Sequence, residues 1–250
     1  MIHRILVVTA VAAEADSVAA GLATPASGPA QGVPEVPDGL VDVLVGGVGP
    51  AAVAAATAAA LGRAEAEGRP YGLVVSAGIA GGFLPHAPIG TVVVSDALVA
   101  ADLGAQSPGT PGGYLSVEEL GFGRSAHPVP ASLTARIAGA LPGAVVGPVL
   151  TVSTATGTAA RAAELAARHP GAVAEAMEGF GVAEAAAAFG LPAVEVRAVS
   201  NAVGPRDRAA WRIGEALAAL REAFGRLGST VFVTAVTALV EPEEFPSCPS

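Results

Sequence analysis

Polar side chains stand at the ends of three apolar runs in this 250-residue chain. Glu14 follows the run "ILVVTA", Glu178 stands between "AVAEAM" and an Ala-rich stretch, and the pair Ser200-Asn201 closes "AVEVRAVSN". A carboxylate can accept hydrogen bonds from a vicinal diol, and an amide both donates and accepts. Each glutamate could instead be an ordinary helix-start residue, favoured there by the helix dipole. Together, however, they predict one shared cleft for a polar small molecule.

The elements that must position these side chains are buried strands alternating with Ala-rich helices. We predict strands at Arg4–Ala10, Val41–Val48, Gly72–Ala77, Gly90–Val99, Ala144–Thr151, Ala172–Ala176 and Ala193–Ser200. Helices are predicted at Ala12–Leu22, Ala51–Glu67, Ala131–Ala140, Thr158–Arg168, Glu178–Phe189 and Ala209–Leu227. This pattern predicts one α/β domain over residues 1–250, a three-layer sandwich with a central mixed sheet between helices. Residues 24–39 and 102–123 are predicted loops, the second long enough to be a binding loop, and 229–240 fits a helix or a strand.

Three further segments each allow two interpretations. In "SAGIAGGF", residues 76–83, glycines at a strand's carboxyl end let a backbone approach a ligand closely, or simply form a turn. In "GGVGPAA", Gly47, Gly49 and Ala52 approximate a dinucleotide fingerprint, but the acidic residue expected about 20 positions later is missing, so a tight strand-to-helix turn is favoured. The hydroxyl-rich "TVSTATGT", residues 151–158, could line a polar pocket, although helix capping is the default.

Composition excludes several classes of partner and site. A net charge of −9 with 13 Lys and Arg argues against a nucleic-acid partner. The uncharged segment 73–95 contains glycines and prolines that break a membrane-spanning helix, and the N-terminus lacks the features of a signal peptide. The lone Cys248 cannot form an internal disulfide, which favours a reducing cytoplasm. The four histidines lack metal-ligand spacing and no nucleophile elbow is present, so we predict no metal, no cofactor and no Ser-His-Asp triad.

With these segments in order, the chain resembles the nucleoside phosphorylase and nucleosidase superfamily over nearly its whole length. The resemblance rests on "TAVAAEAD", "GVGPAAVAAAT", "SAGIAGGF", "GTVVVSDALVAAD", "TVSTATGT", "AMEGFGVA" and "EVRAVSNAVGPRDRAAW". Within the superfamily, "GPRDRAAW" is similar to a signature of the futalosine-cleaving branch. The resemblance implies a cytoplasmic, homo-oligomeric nucleosidase that releases hypoxanthine from futalosine with water, in a route to menaquinone. Futalosine is an inosine-like nucleoside with an aromatic carboxylate on its 5′ side.

The resemblance also implies a role for each site residue. Glu14 and Asn201 would be catalytic, Glu14 activating water and Asn201 binding the base, where adenine-specific relatives carry Asp. An amide can donate to a 6-oxo group and accept from a ring N–H, which suits hypoxanthine. Met177 and Glu178 would hold the ribose, and the substrate would also contact Ser200 and the cleft floor formed by Gly78, Ile79, Ala80 and Gly81.

Several alternatives stay open at this stage. Phosphorylases of the superfamily hold phosphate with arginines, and Ser76 stands at the position of one of these arginines. No Arg from elsewhere in the chain is expected near the glycine floor. Water is therefore the predicted nucleophile. Relatives specific for adenine carry polar residues where this chain has Ala176 and Ile79. The nearest alternative is a methylthioadenosine, adenosylhomocysteine or aminofutalosine nucleosidase, and Asn201 argues against it. A dinucleotide-binding oxidoreductase and a non-catalytic nucleoside binder are less favoured. Arg206 or Arg208 could pair with the substrate carboxylate or lie at an ordinary surface.

Overall fold

A computed structural model of the chain describes residues 4–23 and 39–233. Its strands are β1 Arg4–Thr9, β2 Val41–Val45, β3 Tyr71–Gly82, β4 Val92–Ala100, β5 Gly104–Gln106, β6 Tyr114–Ser116, β7 Ala126–Pro128, β8 Val145–Thr151, β9 Ala174–Ala176 and β10 Ala193–Ala202. Its helices are α1 Ala12–Leu22, α2 Pro50–Ala66, α3 Ala131–Gly139, α4 Ala159–Arg168, α5 Gly179–Ala188 and α6 Ile213–Leu227.

Eight of the strands form one mixed sheet, and β5 pairs with β6 in a separate hairpin. Strands β2, β1, β3 and β10 run parallel in that order, so their carboxyl ends meet at one edge. Beyond β10 the sheet continues through β4, β8 and β9, and β9 pairs back onto β3. These pairings close five strands into a ring, with β1 and β2 extending from it.

Alternate residues of the central strands face two helical layers. On one face, Val7 and Val75 pack in the same cluster as residues of α1 and α6, including Val18 and Phe224. On the other face, Leu6, Val8 and Val74 pack with residues of α2 and α5, including Val53 and Val182. Because successive side chains of a strand point to opposite faces, a strand covered on both sides reads as a continuous apolar run. The predicted sandwich with a mixed central sheet is confirmed.

The element boundaries hold within a few residues, with four informative differences. Strand β3 continues through "SAGIAGGF" to Gly82, so this segment is strand and not a turn. The predicted helix from Ala209 is a short 3-10 turn, Arg208–Ala210, followed by α6. The predicted loop 102–123 contains the β5–β6 hairpin, and the open segment from Ser229 is helical up to Val233. The rest of that segment, most of the loop 24–39 and Cys248 lie outside the described residues.

Candidate active site

A cavity of about 270 Å³ opens where β1, β3 and β10 end. Nearly every site residue predicted from the sequence lines it: Glu14, Ile79, Ala80, Gly81, Met177, Glu178, Ser200 and Asn201. Gly78 does not line the cavity and lies just beneath it. The predicted shared cleft therefore exists, formed by side chains that are far apart in the sequence but adjacent at one edge of the sheet.

Glu14 is held rigidly at the bottom of this cavity. It lies in the first turn of α1, and its Oε2 accepts hydrogen bonds from the backbone N–H of Ala10 at 3.0 Å and of Val11 at 3.3 Å. Its Oε1 accepts from the N–H of Ile79 on β3, at 2.9 Å. A carboxylate has about four acceptor positions, so three fixed donors orient it and leave room for one more. The ordinary helix-start role and a cavity-facing role are thus combined in one residue.

Gly78 makes the approach of Glu14 to the sheet possible. A Cβ built on Gly78 would lie 2.4 Å from Oε1 of Glu14 and 2.5 Å from Nη1 of Arg197. Both distances are far below van der Waals contact, so any larger residue would displace one of these two charged groups. The glycine of the predicted floor therefore lies under charged side chains of the protein and not under the open part of the cavity.

Arg197 is a buried side chain of the cavity that sequence reasoning missed. It is only 1 % exposed, and its Nη1 donates to the carbonyl of Ile79 at 3.3 Å, so the expectation of no arginine near the glycine floor is wrong. The signal was present in the sequence: Glu195 and Arg197 are two positions apart in an otherwise apolar strand. A period of two places both on one face, where a buried charge needs a partner.

The Arg197 guanidinium connects two buried carboxylates. Its Nε donates to Oε1 of Glu195 at 2.7 Å, and its Nη2 donates to Oε2 of Glu178 at 3.1 Å. Nη2 also lies 3.2 Å from the hydroxyl of Ser76. Arg197 fixes Glu178 through this planar fork, since a guanidinium presents its donors in a rigid geometry.

Burial and charge shift the pKa values in this cluster in opposite directions. Burial raises the pKa of Glu195, although the attraction of Arg197 opposes the shift, and Oε2 of Glu195 has no hydrogen-bond partner among the described residues. Burial alone would lower the pKa of Arg197, but attraction to Glu195, Glu178 and Glu14 outweighs it and the pKa rises. Arg197 thus stays charged, and it is the cation that makes buried carboxylates possible here.

Glu178 immediately precedes α5 and is held from two further sides. Its Oε2 accepts from the N–H of Met177 at 3.2 Å, and its Oε1 accepts from the N–H of Gly49 at 3.2 Å. Gly49 precedes α2 with a φ of 91°, a conformation that favours glycine. The turn that resembles a dinucleotide fingerprint thus binds a carboxylate of the same chain.

The Ser200-Asn201 pair ends β10 with a defined orientation. The Ser200 hydroxyl lies 2.8 Å from Oδ1 of Asn201 and 3.3 Å from the carbonyl of Ala80. Nδ2 of Asn201 donates to the carbonyl of Ala202 at 3.0 Å, and because a carbonyl only accepts, this contact identifies the amide nitrogen. One N–H of Nδ2 is left for another acceptor.

Glu175 is the third buried carboxylate that lines the described cavity, after Glu14 and Glu178, and the sequence did not single it out. Its two oxygens accept from the N–H of Thr156 at 2.8 Å and from the hydroxyl of Thr156 at 2.5 Å. Burial raises its pKa, and these hydrogen bonds oppose the shift. Thr158, in contrast, caps α4 by accepting from the N–H of Arg161 at 3.2 Å. The segment 151–158 therefore both lines the pocket and caps a helix.

The mouth of the cavity differs chemically from its floor. Arg206 and Trp211 line it, and the guanidinium of Arg206 lies 5.4 Å from the centre of the Trp211 ring. Arg208 lies 5.8 Å from the same ring. Among the described residues, neither arginine has an acidic partner within salt-bridge distance. Asp207 between them accepts from the N–H of Ala209 at 3.1 Å, as expected of a capping residue.

Comparison with known proteins assigns this chain to a superfamily. The family model of the phosphorylase superfamily matches residues 6–240, and this chain belongs to that superfamily. Futalosine hydrolase from Streptomyces coelicolor is 61 % identical over 227 residues, covering 90 % of this chain and 94 % of the relative. Futalosine hydrolase from Acidothermus cellulolyticus is 50 % identical over 230 residues, 90 % of each chain.

Solved structures show the same fold. Futalosine hydrolase of Helicobacter pylori has a TM-score of 0.72 at 17 % identity, covering 94 % of this chain and 99 % of that chain. The 5′-methylthioadenosine/S-adenosylhomocysteine nucleosidase of Neisseria meningitidis, in complex with methylthio-immucillin-A, has a TM-score of 0.70 at 19 % identity, covering 93 % and 99 %. The resemblance to the phosphorylase and nucleosidase superfamily is therefore confirmed.

Two further sequence-based expectations concern membrane-spanning helices and metal sites. No helix within residues 4–23 and 39–233 is both long and apolar enough to span a membrane. Within the same ranges, no three His, Cys, Asp or Glu side chains are grouped so that they could hold a metal ion.

Proposed function

We propose that this protein hydrolyses the N-ribosidic bond of futalosine and releases hypoxanthine and the dehypoxanthinyl sugar. The observation that carries the proposal is Glu14, a carboxylate fixed by three backbone N–H donors in the cavity with an acceptor position to spare. The 61 % identity to a futalosine hydrolase supports the choice of substrate. The enzyme is then an N-glycosyl hydrolase.

In this proposal, Glu14 takes a proton from a water molecule while the oxygen of that water bonds to C1′ of the ribose. The bond from C1′ to the purine nitrogen breaks, and positive charge develops on the sugar as in other glycoside hydrolyses. The carboxylates of Glu14 and Glu178 stabilise that charge, because their hydrogen bonds already hold them in place. An amide does not release a proton, so Asn201 stabilises the departing base by hydrogen bonding. The base takes a proton from solvent water, and Glu14 releases the proton that it took from the attacking water to the resulting hydroxide, so that the carboxylate is restored and the protons balance.

Glu178 and Met177 hold the ribose in this scheme. Three donors, from Gly49, Met177 and Arg197, orient the Glu178 carboxylate and leave an acceptor position for a sugar hydroxyl. Arg197 acts as a positioning residue, since its guanidinium reaches Glu178 directly. Ile79, Ala80 and Gly81 provide the surface beneath the sugar and base, and Ser200 orients the Asn201 amide.

The charges around Arg197 favour water over phosphate as the nucleophile. Although this arginine was not expected, its donors already bind Glu195, Glu178, Ser76 and the Ile79 carbonyl. Three carboxylates, Glu14, Glu178 and Glu195, contribute to its raised pKa, so the bottom of the cavity carries more negative than positive charge when they are ionised. A phosphate dianion would be repelled there, whereas neutral water is not.

The mouth of the cavity suits the 5′ end of futalosine. The Trp211 ring offers a flat apolar surface, and Arg206, which lacks an acidic partner among the described residues, offers a bidentate cation for a carboxylate. Val11, Val48 and Ile213 line the same mouth and are exposed. An aromatic carboxylate would cover these apolar groups and pair with the arginine.

Cellular context and assembly complete the proposal. The product would feed menaquinone synthesis, and the enzyme would work in the cytoplasm as a homo-oligomer. Support for assembly comes from the 102–123 segment, where Phe122 is 81 % exposed and Leu103 is 46 % exposed. Large apolar side chains exposed at a surface are typical of contact sites between proteins.

The test is a phosphate-free assay of the purified protein with futalosine, inosine and methylthioadenosine, following the free base by chromatography. Hypoxanthine from futalosine is expected, with a Glu14→Gln variant at least about 100-fold slower because the base is lost. An Asn201→Asp variant is also expected to be impaired, since a carboxylate cannot donate to the 6-oxo group. Adenine release, or turnover only after phosphate is added, would overturn the proposal.

A further inference from the structure

Glu175 is a buried titratable group that the proposed mechanism does not use. Its side chain lines the cavity, yet the residue is only 8 % exposed. Both of its hydrogen bonds come from Thr156, one from the backbone and one from the hydroxyl. These two donors occupy about half of the acceptor positions of a carboxylate and fix its plane. The remaining acceptor positions are available to a ligand in the cavity.

The sheet places Glu175 opposite Asn201, on the two sides of Gly81. In the strand register, Gly81 of β3 pairs with Glu175 of β9 and with Asn201 of β10. Two strand spacings separate the backbones of the carboxylate and the amide, which is about 9–10 Å. A Cβ built on Gly81 would lie 3.0 Å from Cγ2 of Val203 and 3.3 Å from Nδ2 of Asn201, so the absence of a side chain on Gly81 lets both groups approach the strand at this point. All three residues line the cavity.

The amide and the carboxylate present a fixed pair of hydrogen-bonding groups. Nδ2 of Asn201 can donate, because the Ala202 carbonyl identifies it as the amide nitrogen. The Glu175 carboxylate has free acceptor positions and, when ionised, no proton to donate. A 6-oxopurine offers the complementary pair on adjacent atoms, an accepting O6 and a donating N1–H. A 6-aminopurine offers the reverse, a donating amino group and an accepting N1.

We propose that Glu175 is a specificity-determining residue that accepts the N1–H of a 6-oxopurine and thereby excludes 6-aminopurines from the cavity. The inference rests on the proposed function, because it takes a purine as the leaving group, and it adds a second contact to the one made by Asn201. A 6-aminopurine would place its accepting N1 against the accepting Glu175 carboxylate and leave these buried polar groups unpaired. Mismatches of this kind are the ones that protein sites reject most strongly.

The experiment measures base selectivity as a ratio of inhibition constants. Hypoxanthine, adenine and 1-methylhypoxanthine compete against futalosine in the wild-type protein and in Glu175→Gln, and the stability of each protein is measured by thermal unfolding. The wild type is expected to prefer hypoxanthine over adenine by at least about 100-fold. Glu175→Gln should narrow that ratio at least tenfold, since an amide can turn its NH₂ toward the N1 of adenine.

A matched variant and a modified base separate recognition from structure. Glu175→Asp keeps a carboxylate and should retain the preference for hypoxanthine even if turnover falls. With the wild type, 1-methylhypoxanthine should bind at least about tenfold more weakly than hypoxanthine, because the methyl group replaces the N1–H that Glu175 would accept; this arm does not depend on a variant that folds.

Equal losses for hypoxanthine and adenine in Glu175→Gln, or tight binding of 1-methylhypoxanthine to the wild type, would overturn the inference. Failure of the wild type to release hypoxanthine from futalosine would instead overturn the proposed function.

Discussion

The floor and the mouth of the same cavity solve different problems. At the floor, Glu14, Glu178, Glu195 and Arg197 are all buried, and fixed hydrogen bonds hold them. At the mouth, Arg206 and Arg208 are exposed, and the guanidinium of each lies near the Trp211 ring. Ordered charges can stabilise a transition state without further reorganisation, whereas exposed cations can adapt to a substituent. We infer that the floor carries the chemistry and that the mouth carries part of the substrate choice.

The largest effect is expected from removing the cation of the floor. Arg197→Met should destabilise the protein by about 3–5 kcal/mol, because it leaves buried carboxylates without their partner. Loss of futalosine turnover should accompany it, since Glu178 loses a fixed donor. Urea unfolding monitored by circular dichroism measures the first effect, and the chromatographic assay measures the second.

The matched control removes an arginine from an exposed helical pair. Arg226 bonds Glu222 at 2.9 Å on α6, and Arg226→Met should change stability by less than about 1 kcal/mol. A similarly small change in the stability of Arg197→Met would show that the buried cluster is not needed for stability. The buried and the exposed ion pairs would then contribute equally.

A smaller and pH-dependent effect is expected from Glu195→Gln. The folded protein holds the Glu195 proton more tightly than the unfolded chain does, because burial raises its pKa above the ordinary value of 4.5. The stability that this adds is complete below the ordinary pKa and is lost as pH rises through the raised pKa. Wild type should therefore lose stability relative to Glu195→Gln as pH rises above the ordinary pKa of 4.5, measured by urea unfolding at several pH values.

Glu184 provides a control of opposite sign. Its hydrogen bond with His127 lowers its pKa, although burial opposes the shift. The stability from Glu184 is therefore present above the ordinary pKa and is lost as pH falls below it. Wild type should lose stability relative to Glu184→Gln only on the acid side. The same pH trend in both variants would contradict the raised pKa of Glu195.

The smallest effect is expected at the mouth. Arg206→Gln should lower kcat/KM for futalosine by about tenfold, as expected when one charge-assisted hydrogen bond is lost. Inhibition by hypoxanthine, which lacks the 5′ substituent, should not change. Arg212→Gln is the control, because Arg212 is exposed nearby without lining the cavity. An equal loss of hypoxanthine binding would show that Arg206 maintains the structure of the pocket and does not bind the substrate carboxylate.

The contrast also explains which parts were predictable from the sequence. Apolar runs and Ala-rich stretches predicted the strands and helices, and the polar residues at strand ends predicted the cleft, since parallel strands end at one edge. Arg197 was missed although its spacing from Glu195 indicated a buried ion pair on one face of the strand. Glu175 was missed because its place in the cavity depends on the pairing of β9 with β3 and β8, which the local sequence does not show. The continuation of β3 through "SAGIAGGF" was missed because glycines weaken local strand preference, while pairing with β9 and β10 maintains it.

The bond between Gly49 and Glu178 has a consequence for small anions. A glycine turn at the start of a helix such as α2 is a ready-made receptor for phosphate, with exposed N–H groups and a favourable dipole. Here the chain fills that receptor with a carboxylate of its own, tethered through α5 and locked by Arg197. The tethered ligand is always present at high local concentration, so dissolved phosphate and sulfate compete poorly for the helix start. The internal anion thereby occupies the Gly49 N–H that a dissolved anion would otherwise bind.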